Sequence, residues 1–258
     1  MSSAPEKPTV VFVPGAWHLP EGFDQARTIL TKNNYPSVAP ALPSVDAEPP
    51  TKTLNDDIDY FHKVLADLAD QGKQLIVIPH SYGGLVGAGA VKGLGYAERA
   101  KAGKKGGVIM LMYMSAFVVP KGKSLKDMLG GQFLPWMKFD GNYCHSSDQH
   151  NIFYHDLPKE EQEKWISKLK HTSASVFSDA ATNEPWNDGL PCMFLFCDQD
   201  HAIPPPVQDG MSKLLGEGAP GYHADASHSV FLSKPECVKE ACDVATKAGR
   251  EKSGILLN

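Results

Sequence analysis

The run Leu75-Ile76-Val77-Ile78-Pro79-His80-Ser81-Tyr82-Gly83-Gly84 constrains this chain more than any other stretch. A short apolar run rich in β-branched residues meets a serine, and glycines and a small-residue segment follow at once. That order predicts a buried strand, a sharp turn and a helix. A serine at such a turn is lifted out of the sheet with its hydroxyl exposed. It sits beside the first free N–H groups of the new helix, which can stabilise an oxyanion forming on a carbonyl. Gly83 lets helix and strand pass where a Cβ would collide. Pro79 stands at the matching small position before the serine and weakens the match to G-x-S-x-G, because proline removes a strand donor and adds bulk at the tight contact. Taken alone, the stretch fits a nucleophile for acyl chemistry and also a turn serine that caps a helix.

The remaining pattern supplies the sheet around it. Thr9–Val13, a segment around Ser37 to Leu42, Val108–Tyr113, Cys192–Cys197 and Gly221–Ala226 read as strands. Helices are expected over Gly22–Asn33, after an N-cap at Thr53 with Asp56 in the capping-box position, over Gly83–Leu94, Pro206–Leu215 and Pro235–Ala248. Strands alternating with helices predict an α/β architecture: a mostly parallel central sheet with helices on both faces and the site at the carboxyl ends of the strands. Residues 117–187 break the rhythm and read as helical pieces without a clear strand. They are expected to form a helical cap between two parts of the core, 1–116 and 188–258. Within that cap Phe133 and Trp136 are the first candidates to line a substrate pocket.

Composition excludes several alternatives. With 42% hydrophobic and 21% charged residues in 258, the chain can bury a real core. A net charge of -5 without a basic stripe gives no sign of nucleic acid or an anionic membrane as partner, and no stretch approaches a membrane span. The N-terminal residues lack the apolar core of a secretory signal, and the five cysteines have no metal-knuckle spacing, so free thiols and a cytoplasmic location are expected. His145, His150 and His155 recur every five residues, which does not align two ligands on a helix. No cofactor or metal is expected. A small-molecule substrate is the expected partner, and a homodimer is left open.

A serine nucleophile needs a base, and the base an orienting group. Asp198 and Asp200 follow the strand Cys192–Cys197, and His228 follows the last strand. Serine, acid and histidine thus fall in turn at three strand ends. His223 is a rival base, but it lies within a strand rather than beyond it.

These residues resemble the α/β-hydrolase fold, and within it the small esterase group of plant methyl esterases, hydroxynitrile lyases and similar microbial esterases. The resemblance runs from Val10 to the last helix. It is carried by Pro14-Gly15-Ala16-Trp17-His18, His80-Ser81-Tyr82-Gly83-Gly84, Asp200-His201-Ala202-Ile203-Pro204 and Ser227-His228-Ser229. It implies Ser81 as nucleophile, His228 as general base and Asp200, through its acid-x-x-Ile-Pro context, as the orienting acid in preference to Asp198. It also implies the amides of Ala16 and Tyr82 as oxyanion donors, with Trp17 and His18 in reach of substrate. Pro14 stands where the family usually has histidine and Pro79 where it has glycine. Ser229 and Gly15 replace the lysine and threonine of the lyase branch. The implied activity is a serine hydrolase for a carboxylic ester, thioester or lactone of a small apolar or aromatic molecule. Cleavage of an activated C–C bond and a non-catalytic small-molecule receptor are the alternatives.

Overall fold

The computed structural model describes residues 6–255. Strand β1 (Thr9–Val13) is buried along its whole length and is followed by α1 (Asp24–Lys32), β2 (Ser37–Val38) and α2 (Leu54–Asp70). Next come β3 (Gln74–Ser81), α3 (Gly83–Ala90), α4 (Tyr96–Lys101) and β4 (Gly107–Ala116). Side chains apolar on both faces suit strands covered by helices from both sides, as parallel sheets are. Strand β2 stops after two residues, short of the expected Leu42, because Pro40 and Pro43 cannot donate to a ladder. The capping box at the start of α2 forms as expected: Thr53 accepts from the Asp56 N–H, and Asp56 accepts from the Thr53 N–H.

Residues between β4 and the next core strand hold α5 (Leu125–Met128), β5 (Met137–Asp140), β6 (Tyr143–Ser146), α6 (Gln149–Phe153), α7 (Lys159–Ile166) and β7 (Thr172–Ser173). The helical pieces are there, but so is a three-stranded antiparallel sheet, β5-β6-β7, that the pattern did not suggest. Its hairpin pairs Asp140 with Tyr143 across the two-residue loop Gly141-Asn142. Glycine in a two-residue loop is a hairpin signal. Four residues are too few to show alternation, so these strands leave little trace in the sequence pattern.

The core resumes with β8 (Cys192–Cys197), α8 (Pro205–Ser212), β9 (Gly221–Ala224), α9 (Val230–Ser233) and α10 (Pro235–Lys252). Six parallel strands form one sheet in the order β2-β1-β3-β4-β8-β9. Helix α1 packs with α10 and α2 with α3, giving two helical layers on the sheet. The carboxyl ends of β1, β3, β8 and β9 therefore present the loops that carry the predicted residues. Among the described residues no helix is long and apolar enough to cross a membrane.

Candidate active site

Ser81 ends β3 with φ of 54°, a left-handed conformation that costs a non-glycine residue about 1–3 kcal/mol and must be held by its surroundings. Helix α3 starts two residues later. A Cβ on Gly83 would lie 2.5 Å from the Pro14 carbonyl oxygen, so only glycine lets the helix start this close to the end of β1. The elbow forms despite Pro79. Trp17 (φ 67°) and Ser115 (φ 39°) are also left-handed, which puts three such residues around one site.

His228 and Asp200 form a buried pair, linked to the residue before Ser81 through the His80–His228 hydrogen bond. The His228 Nδ1–H donates to Asp200 Oδ2 over 2.7 Å, and both side chains are fully buried. Because the carboxylate only accepts, this bond leaves Nε2 as the bare nitrogen. It is buried and takes no hydrogen bond from any described residue. The acid is fixed from every side. Its Oδ1 accepts from the Ala202 and Ile203 N–H groups at 2.7 and 2.9 Å, and its Oδ2 also accepts from the Ser115 hydroxyl. Asp198 points elsewhere and pairs at the surface with His223, 2.8 Å away.

His80 connects the elbow to the base. Its Nε2–H donates to the His228 carbonyl over 2.9 Å, and the two rings lie 4.4 Å apart. Burial holds His80 well below the usual histidine range, so it is a neutral donor whose Nδ1 is buried without a partner among the described residues.

In front of Ser81 lies a narrow apolar pocket bordered by Ala16, Tyr82, Trp17 and Trp136, with Phe117, Phe177 and aliphatic side chains completing its walls. Ala16 and Tyr82 donate to no loop or cap carbonyl among the described residues, which leaves their N–H groups free. Of the four predicted substrate contacts, Trp17 and Trp136 border this cavity, their rings 5.6 Å apart. Phe133 does not; it stacks on Phe139 and sits behind Phe177. His18 does not either. Its Nδ1–H donates to the Ala16 carbonyl over 2.7 Å, its Nε2 accepts from the Tyr154 hydroxyl over 3.0 Å, and burial lowers its pKa to about 4. It lines a separate small pocket with Tyr154 and Phe231.

Three polar residues around the site escaped the sequence reading. Ser115 holds the acid. Thr172 accepts from the Trp17 N–H. Asp57 accepts from the Tyr82 hydroxyl, and burial pushes its carboxyl up to about 6. Asp57 left one trace: it shares the buried stripe of α2 with Phe61 and Leu65, an unusual place for a charge.

The profile of the alpha/beta hydrolase family matches residues 10–239. The chain is 29% identical over 237 residues to the alpha/beta hydrolase nvfD of Aspergillus novofumigatus, covering 90% of this chain and 94% of that one. Its fold is similar to that of a pyrethroid hydrolase from Sphingobium faniae (TM-score 0.74, 18% identity, 95% of this chain and 99% of that one). It is also similar to the methylesterase MES16 of Arabidopsis (TM-score 0.73, 17% identity, 93% and 99%).

Proposed function

This chain belongs to the alpha/beta hydrolase family, and from that premise we propose that it is a serine hydrolase cleaving a carboxylic ester, thioester or lactone of a small apolar or aromatic molecule. The observation that carries the reading is the buried Asp200–His228 pair, with an unpartnered Nε2, joined through His80 to a serine held in a strained elbow at an apolar cavity.

The chemistry follows from those groups. The Ser81 hydroxyl gives its proton to His228 Nε2 as Oγ attacks the acyl carbon, and Asp200 stabilises the imidazolium that forms. The oxyanion accepts from the N–H groups of Ala16 and Tyr82. His228 returns the proton to the departing alcohol or thiol and leaves an acyl-serine. Water, deprotonated by His228, then releases the carboxylic acid and restores the hydroxyl. A base of this kind tightens on its nucleophile when substrate fills the site, so a bare Nε2 in the free enzyme fits the role.

The substrate class rests on the walls. No charged side chain borders the cavity. Tyr82 turns its hydroxyl to Asp57, and the Trp17 indole donates to the Cys144 carbonyl. An unpaired charge entering such a space loses its hydration with nothing in exchange. Esterase activity on neutral aromatic or aliphatic acyl groups suits it better. The likeness of the fold to a pyrethroid hydrolase and a methylesterase supports that class.

The test is direct. Purified protein should release p-nitrophenol from short-chain p-nitrophenyl esters, and Ser81→Ala should abolish the release. A fluorophosphonate should label Ser81 and no other residue. Undiminished turnover by Ser81→Ala would remove the assignment.

A further inference from the structure

We propose that Asp57 and Thr172, neither of which borders the cavity, are positioning residues for the oxyanion hole: Asp57 acts through the phenol of Tyr82, and Thr172 through the N–H of Trp17. The inference rests on the reading above that Ala16 and Tyr82 supply the two donors.

Tyr82 follows the nucleophile and stands just before α3. Its side chain is buried, and its hydroxyl donates to Asp57 Oδ2 over 2.8 Å. The same carboxylate accepts from the Ser44 hydroxyl at 2.6 Å and, through Oδ1, from the Ser44 N–H at 2.9 Å. Three donors converge on one acceptor group. An amide in place of this carboxylate would turn its own N–H₂ towards a donor. The tyrosine ring is thereby pinned at its far end to α2, and the backbone that carries its N–H cannot rotate without breaking that bond.

The second donor is held by a different part of the chain. The peptide joining Ala16 to Trp17 is clamped on both sides: its carbonyl accepts from His18 Nδ1–H at 2.7 Å, and its N–H donates to Thr172 Oγ1 at 2.8 Å. Trp17 is left-handed at φ 67°, a conformation that its own side chain disfavours. Two more bonds restrain it: the indole donates to the Cys144 carbonyl over 3.0 Å, and the Trp17 carbonyl accepts from the Lys170 N–H over 3.0 Å. Thr172, Cys144 and Lys170 all lie between β4 and β8. The inserted sheet therefore shapes the loop that carries the Ala16 N–H, in addition to covering the cavity.

The two anchors are one network. The Ser44 carbonyl accepts from the Ser173 N–H at 2.9 Å, so the chain of bonds runs from Tyr82 through Asp57 and Ser44 to β7. A strained donor loop and an elbow from distant segments are thus set by one buried polar system. Oriented N–H groups stabilise developing charge only when their direction is fixed before the reaction.

Steady-state kinetics with p-nitrophenyl butyrate on Tyr82→Phe, Asp57→Asn, Thr172→Val and Thr172→Ser tests this. Tyr82→Phe and Thr172→Val should each lower kcat about tenfold or more with KM within about threefold, because a misdirected donor weakens the transition state and not substrate binding. Thr172→Ser should restore most of kcat, since it returns the hydroxyl. Combining Tyr82→Phe with Asp57→Asn should cost no more than the worse single change, because both remove one bond. If Asp57→Asn fails to fold, the tyrosine and threonine variants carry the test alone. Values of kcat within twofold of the parent for both Tyr82→Phe and Thr172→Val overturn the proposal, as does a loss confined to KM. In those outcomes Ser81-dependent turnover persists and the functional reading survives. Turnover that does not depend on Ser81 sinks that reading, and this inference with it.

Discussion

Burial keeps His18 and His80 neutral, and His18 shows the cost. Both of its ring nitrogens are hydrogen-bonded, one to a carbonyl and one to a hydroxyl, in a place only 7% exposed. Burial lowers its pKa from 6.5 to about 4. An unfolded chain therefore takes up a proton near pH 6.5 that the folded chain refuses until about pH 4. The stability tied to this residue is complete above 6.5 and drains away as pH falls towards 4. Between pH 7.5 and 5 the loss is about 2 kcal/mol. His80, held low by the same burial, acts in the same direction. Asp57 opposes them: with a carboxyl raised to about 6, its contribution is full below about 4 and is lost as pH rises through 6. Only a difference between variants isolates one group. Urea unfolding at pH 7.5 and 5 should show the parent losing about 2 kcal/mol more than His18→Gln. Equal losses would mean that the ring is not buried neutral.

At the scale of elements, β3 and α3 settle how a proline can stand in a central strand. The β3–β4 register runs through Val77–Leu111 and resumes at His80–Met114. Pro79 is paired on its other side with Val13 of β1. The ring needs room, and α3 supplies it at Gly87, where a Cβ would lie 3.0 Å from the Pro79 Cβ and 3.1 Å from its Cγ. The small residue that the elbow motif wants on the strand has moved to the facing helix. Gly87→Ala should then destabilise by about 1 kcal/mol or more, although alanine is normally the better helix former by about that amount. In a Pro79→Gly background the same change should become neutral or stabilising. Chemical denaturation of the four proteins measures the coupling, and an identical effect in both backgrounds refutes the compensation. This pair also marks where legibility ends. Apolar runs such as Cys192–Cys197 and the Thr53–Asp56 box are local patterns and could be read directly. That Gly87 answers Pro79, or that Asp57 meets Tyr82, depends on which segments touch, and spacing does not carry that.

Across the whole molecule, the proposed function assigns chemistry and selectivity to different stretches of chain. Ser81, Tyr82, Ala16, Ala202 and Ile203 border the cavity from the parallel-sheet core, whereas Phe117, Leu125, Leu129, Leu134, Trp136, Met137 and Phe177 reach it from the segment between β4 and β8. Of the first group, Ser81 is legible at a strand end, because a buried apolar run announces where its loop begins, whereas Ala16 and Tyr82 follow from the family resemblance and Ala202 and Ile203 from neither. The second group was named only in part. Trp136 borders the cavity and Phe133 does not, and that difference is set by how a short hairpin folds. The consequence for specificity is a division of labour. In the proposed reading acyl groups meet a wall that offers dispersion and no counter-ion, so a carboxylate on the acyl chain must surrender its hydration unaided. Leaving such a charge unpaired costs several kcal/mol even after partial relaxation. Two p-nitrophenyl esters with acyl chains of equal length, one neutral and one ending in a carboxylate, should therefore differ in kcat/KM by about a hundredfold or more in favour of the neutral ester. Leu129→Lys places a cation on the wall and should narrow that gap chiefly by raising turnover of the acidic ester. Comparable rates for the two esters in the parent would show that the acyl chain does not enter this cavity.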